Sequence, residues 1–410
     1  ENRIYYICVF FIILCSSVHA QQTKRICDTI PYEFIQEKIV IPVVVNGVKT
    51  KYIVDTGGKT GTMWEEAMEM KVESAGSLVS ISDLNGSGIS YQKGILKNIQ
   101  LSANYQINEL HTMVLPEVGM FKKLGVAGIL GGDAFAQSVI TFDSRKKVMI
   151  INYPYRPLGL KIQDGVEMFS GTVHHSIVNV NVGGIDKKML FDSGAHGFFI
   201  ISKDDFVELR EKGVCEQVAT AYGVNGAGLL GLGQPVDVFK GSVSELNFLG
   251  KRFTNVGCIT NPNSQSIIGV DILKYGKVVI DYMRSRFYFF PFDDVVEDMG
   301  GAPKTWNVGI LPLNERFEVW DSMKNQVSFG EEVIDINGIS LEGLPMDQTK
   351  IDEIMDSIEG DRAYIIVLRN GKKEKIEIHS QDELKAIKEE LKDAEYQIVD
   401  IKTGERTRKA

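Results

Sequence analysis

The stretch IVDTGG, Ile53 to Gly58, sets a carboxylate between β-branched residues and a glycine pair. Alone it is turn chemistry, since Asp, Thr and Gly all favour tight bends. A second stretch decides its reading: LFDSGA, Leu190 to Ala195, repeats the pattern with Asp192 in the place of Asp55. The likeness extends on both sides. VVNGVKTKYIVDTGGKTG, from Val44 to Gly61, is answered by NVGGIDKKMLFDSGAHGF, from Asn181 to Phe198. Each reads as an apolar strand, a short turn, a second apolar strand, then Asp, a hydroxyl residue and Gly. DLNGSGIS, which holds Asn85, Gly86 and Gly88, is echoed by YGVNGAGL around Asn225. AGILGGDAF, Ala127 to Phe135, matches SIIGVDIL, Ser266 to Leu273, and VITFDSRKKVMII matches VVIDYMRSRFYFF. The same elements in the same order at a nearly constant offset are the mark of one β-rich unit used twice. Between the landmarks of the repeat, helical texture is confined to MWEEAMEMK and SKDDFVELREKG, each shortly after a D-[ST]-G.

Composition narrows the function. At 410 residues and 44% hydrophobic content the chain has room for two or three globular domains. Its formal charge of -9 argues against nucleic acid or an anionic membrane surface as the main partner. The apolar run from Ile4 to Leu14, followed by small and polar residues to Ala20, reads as a secretory signal peptide over residues 1–20. It is shorter than the roughly 20 apolar residues that span a bilayer, which leaves membrane anchoring as the minority reading against export to a periplasm or the extracellular space. Of the remaining cysteines, Cys215 and Cys258 can pair and leave Cys27 over, or all three can be free thiols. The six histidines show no metal-ligand spacing, and no metal or cofactor is expected. His174 and His175 are adjacent, point to opposite faces of any strand, and read as structural or surface residues, as does His196.

Two pseudo-symmetric halves, each offering one Asp at a strand-to-turn corner, can bring two carboxyls together across a two-fold axis. Carboxyls within hydrogen-bond reach cannot both ionise easily, so they share a proton and titrate as a pair. Such a pair can hold a water between a base and an acid. These residues resemble the pepsin or retropepsin type of aspartic protease with both lobes in one chain. VDTG, FDSG and the apolar-apolar-Gly motifs Ile129-Leu130-Gly131 and Ile267-Ile268-Gly269 carry the resemblance, which covers roughly residues 31–292. It implies a mainly β, bilobal acid-protease fold with lobes at 31–153 and 169–292. It implies a catalytic dyad of Asp55 and Asp192, supported by Thr56, Gly57, Ser193 and Gly194, and a hairpin flap at Asn85, Gly86 and Gly88, with Tyr91 nearby. The implied activity is endopeptidase cleavage of peptide or unfolded protein; the rival is a non-catalytic peptide-binding protein on the same scaffold. Where pepsin-like enzymes carry Ser or Thr after D-[ST]-G, this chain has Gly58 and Ala195, closer to the retropepsin pattern. Without that hydroxyl donor the dyad is expected to work nearer neutral pH.

After residue 304 the texture changes. FGEEVIDINGISL, Phe329 to Leu341, an amphipathic DQTKIDEIMDSIEG and a last hairpin through Asn370-Gly371 resemble a bacterial PDZ domain, a small α+β unit placed at 305–379. The resemblance implies a peptide ligand added as a strand, its carboxylate held by a loop at Val308, Gly309 and Ile310. Residues 380–410 read as a solvated helix and a mobile tail. Oligomeric state is not legible.

Overall fold

The computed structural model describes residues 25–82, 88–171, 174–223, 227–228, 231–232, 235–261, 265–301, 306–313, 315–322, 327–346 and 348–380. The expected signal peptide and, from residue 381 onward, the expected terminal helix and tail lie outside them, as do Asn85 and Gly86. The chain is mainly β.

The hairpin entering each aspartate loop is built the same way. Lys38–Val45 pairs antiparallel with Val48–Asp55, and Val45 faces Val48 across the two-residue turn Asn46-Gly47. Both turn residues are left-handed, at φ 49° and 83°, the geometry that matches strand twist and that Asn-Gly accepts at little cost. Ile177–Val182 and Ile185–Phe191 repeat the hairpin, with Gly183-Gly184 at φ 55° and 89°. The strand ending at each aspartate is then flanked by a short parallel strand. Gly128–Gly131 lies beside the first, so that Asp55 faces Gly131, and Ser266–Ile268 lies beside the second, so that Phe191 faces Ile268. The apolar-apolar-Gly motifs of the sequence are these strands. Both expected helices form, Trp64–Glu69 and Lys203–Glu211, the latter capped by the Ser202 hydroxyl, which accepts from the Asp205 N–H at 3.2 Å.

The halves are spliced by a six-stranded sheet at whose centre Val139–Asp143 runs antiparallel to Gly276–Asp281, Val139 opposite Asp281 and Phe142 opposite Val278. These are the paired VITFD and VVID segments of the repeat. One buried cluster runs through both halves and includes Val54, Leu130 and Phe142 with Phe191, Ile268 and Ile280. The Phe142 and Phe191 rings lie 6.2 Å apart, and both are fully buried. Truncating either would cost about 3–5 kcal/mol, so the halves stabilise one another through this core.

Residues 306–380 bury a separate cluster that includes Val319, Val333, Ile336, Ile365 and Val367. Asn337-Gly338 and Asn370-Gly371 make two-residue turns with both residues left-handed. Backbone pairing joins this region to the second half where Tyr222 and Gly223 face Ser322 and Asp321. One expectation is corrected here. Val308, Gly309 and Ile310 are not a loop: they open the strand Val308–Leu313, which pairs with Arg316–Ser322. Val308 and Ile310 are buried in the core, and Gly309, which suggests a loop in sequence, is absorbed where the register shifts at a bulge.

Candidate active site

Asp55 ends its strand and Asp192 directly follows its own, because the residues before them, Val54 and Phe191, are fully buried and the glycines after them allow a sharp bend. The two loops then interlock. The Thr56 N–H donates to the Ser193 hydroxyl at 3.0 Å, and the Ser193 N–H donates to the Thr56 hydroxyl at 3.0 Å. Each hydroxyl passes its own proton across the axis: Thr56 to the Phe191 carbonyl and Ser193 to the Val54 carbonyl, both at 2.8 Å. Both side chains are fully buried. This crossed network satisfies four buried backbone groups with two hydroxyls, and it leaves no room for a residue that lacks either donor or acceptor.

The glycines put the carboxyls face to face. A Cβ on Gly57 would sit 2.3 Å from the Asp192 carboxyl carbon, and one on Gly194 would sit 2.5 Å from that of Asp55. Each glycine is thus packed against the opposite aspartate. Burial, reinforced by the charge and hydrogen bond of Asp192, holds the Asp55 carboxyl well above the usual carboxylate range. Two carboxyls in contact cannot both ionise easily, so the pair holds a shared proton more tightly than an isolated carboxyl would. Asp192 Oδ1 accepts two backbone N–H bonds, from Gly194 at 2.8 Å and Ala195 at 3.1 Å, whereas Asp55 Oδ1 accepts one, from Gly57 at 3.0 Å.

The structure thus brings Asp55, Thr56, Gly57, Asp192, Ser193 and Gly194 into one site. Gly88, beside the undescribed Asn85 and Gly86, opens the strand Gly88–Gln100, which folds back on Glu73–Ser82 with Ser82 opposite Gly88. Tyr91 belongs to a buried cluster with Val40 and Ile53 and is a core residue. Val308, Gly309 and Ile310 are remote in sequence and lie in the separate C-terminal core region.

Two basic residues at the site were not expected there. The Lys38 ammonium donates to the Gly194 carbonyl at 2.5 Å and lies within electrostatic reach of both aspartates; burial pulls it below the ordinary lysine range. His175 is half-buried against the Gly57 backbone and Asp192, and burial pulls it down likewise. Lys38 and His175 stand at matching positions of the repeat, the same interval apart as Asp55 and Asp192. Applying that interval to basic residues would have found them. His196, by contrast, has an exposed side chain paired with Glu37. Cys215 and Cys258 are free and buried with sulfurs 3.9 Å apart, and Cys27 is a free, exposed thiol. Among the described residues no group of His, Cys, Asp and Glu has a metal-binding arrangement. A shallow cavity of about 240 Å³ beside Trp64 and Lys122 contains none of the site residues.

No protein-family model matches this chain, and no curated protein matches it.

Proposed function

We propose that the chain is an exported aspartic endopeptidase, with pepsin or retropepsin type lobes at 31–153 and 169–292 and a PDZ-like domain at 305–379. The crossed pairing of the Thr56 and Ser193 hydroxyls carries this reading, because it locks together two loops whose carboxyls are held face to face. In the proposed reaction a water sits between Asp55 and Asp192. The Asp192 carboxylate takes a proton from the water as its oxygen attacks the peptide carbonyl carbon, and Asp55 donates its proton to the carbonyl oxygen. In the resulting gem-diol, Asp192 returns its proton to the amide nitrogen and the C–N bond breaks. Asp55 recovers a proton from a diol hydroxyl, which restores the starting state.

The two backbone donors on Asp192 support its role as base, and the raised Asp55 carboxyl supports its role as acid. Gly58 and Ala195 supply no hydroxyl to either carboxylate, so the rate should peak well above about pH 4, the reference range of a free Asp. For the C-terminal region, the strand Val308–Leu313 lies beside the helix Gln348–Asp356, where the Gln348 amide donates to the Ile310 carbonyl at 3.3 Å. A peptide adding as a strand there would compete for that carbonyl.

The test is a peptide library scored by mass spectrometry across pH. The wild type should cleave, and Asp55→Asn and Asp192→Asn should each lose about 10²–10⁴-fold in rate. A wild type that binds peptides at every pH and cleaves none would leave a peptide-binding scaffold in place of an enzyme.

A further inference from the structure

We propose that Lys38 is a positioning residue that clasps the second aspartate loop from the first half and holds the aspartate pair at a single negative charge. Its effect on rate rests on the endopeptidase reading; the clasp itself rests on geometry. Lys38 follows the two-residue turn Gln36-Glu37, where Ile35 faces Lys38. Both turn residues are left-handed, at φ 45° and 59°, though neither is Gly or Asn. Every other hairpin turn compared above uses glycine at one or both positions, and a side chain in this region carries a conformational cost that other contacts must offset.

Those contacts land on the loop of the other half. Glu37 pairs with His196, and the Lys38 ammonium donates to the Gly194 carbonyl at 2.5 Å. Gly194 is the residue packed against the Asp55 carboxyl, so the cation is anchored at the point where the two carboxyls meet. The titratable groups that act on its charge are Asp55 and Asp192; His175 lies against Asp192 and the Gly57 backbone, and Glu37 pairs with His196 on the adjoining turn. The repeat sharpens the point. His175, the counterpart of Lys38, lies against Gly57 as Lys38 lies against Gly194, but burial favours its neutral form. One side of the pseudo-axis therefore presents an ammonium and the other an imidazole; burial lowers both, from a starting point about four units higher for the lysine.

The sign of the effect follows. A cation beside the pair favours its anion, so removing the charge makes the pair hold protons more tightly, and both limbs of the pH–rate profile move to higher pH. The experiment measures that profile for peptide cleavage, together with the ¹³C carboxyl titration of the aspartates, in wild type, Lys38→Arg and Lys38→Gln. Arg should superimpose on wild type, and Gln, which keeps an N–H donor for the Gly194 carbonyl, should shift both readouts upward by about 1–3 pH units. Unmoved titrations in folded Lys38→Gln would overturn the clasp's electrostatic role, since bracing alone survives that change. If the wild type cleaves nothing yet the carboxyl titration shifts, the endopeptidase reading fails and the clasp stands. A wild-type measurement guards against a variant that fails to fold: the Lys38 Nζ resonance should follow protonation of the pair, and a resonance indifferent to it overturns the proposal.

Discussion

Around Asp55 the loop gives the carboxylate one backbone N–H, from Gly57, while the Gly58 N–H turns back to the Asp55 carbonyl. Around Asp192 the loop gives two, from Gly194 and Ala195, and the Ala195 N–H is shared with the Asp192 carbonyl. The hydroxyls and glycines of the two loops obey the two-fold relation, while the amide donors and the flanking bases do not. Symmetry is kept where it fixes position, and it is broken where it would make two acids identical. A pair with a definite acid and a definite base needs both.

The largest effect tests the symmetric part. Gly57→Ala and Gly194→Ala each drive a methyl into the opposite carboxyl, so both should reduce peptide cleavage by at least about 10²-fold, the share one positioned acid or base supplies, with circular dichroism little changed. A variant of either kind retaining full activity would mean that the carboxyls do not meet as described. Next come the hydroxyls. Thr56→Ala and Ser193→Ala each orphan buried backbone groups, and chemical denaturation should show a loss of about 1–3 kcal/mol per group. Equal losses in the two variants would confirm that the network is reciprocal.

The asymmetric part is tested by stability against pH. Asp55 binds its proton more tightly folded than unfolded, so its contribution favours the folded state at low pH and is lost as pH rises from the unfolded value through the raised folded one. Asp55→Asn removes that titration. Thermal melts at neutral pH should therefore find the variant more stable than wild type although it is inactive, with a gap of about 1.4 kcal/mol for each pH unit of relief, and the gap should close in acid. A variant less stable than wild type at neutral pH would contradict the burial cost assigned to Asp55. The smallest expected change is a sharpening. Ala195→Ser offers Asp192 a hydroxyl donor and should lower the acid limb of the pH–rate profile by about one unit or less, with kcat at the optimum little altered.

The aspartates, the bracing hydroxyls and the mainly β class were legible because the chain states them twice at one interval. Turns were legible where Asn-Gly or Gly-Gly declares a left-handed pair, as at Asn46, Gly183, Asn337 and Asn370. Gln36-Glu37 makes the same turn without those residues, so nothing local announces that it reaches the opposite loop. Lys38 opens the strand KIVIPVVV and looks there like an ordinary solvated charge; its partner Gly194 is 156 residues away. The place of His175 beside the Gly57 backbone was not legible for a related reason, since a pair of adjacent histidines carries no periodicity. Gly309 misled in the other direction, because a glycine inside a bulged strand reads as a loop until the ladder is seen.

The strand splice at the centre of the molecule also sets a schedule for synthesis. Val139–Asp143 has its partner on one side, Val148–Tyr153, almost at once, but its other partner ends at Asp281. At about 5–20 residues per second a ribosome needs roughly 7–28 s to deliver that stretch. Through that interval the nascent first half presents a buried-type apolar strand with one open edge, the kind of surface that recruits a neighbouring chain. That edge closes only when Gly276–Asp281 arrives from the second half.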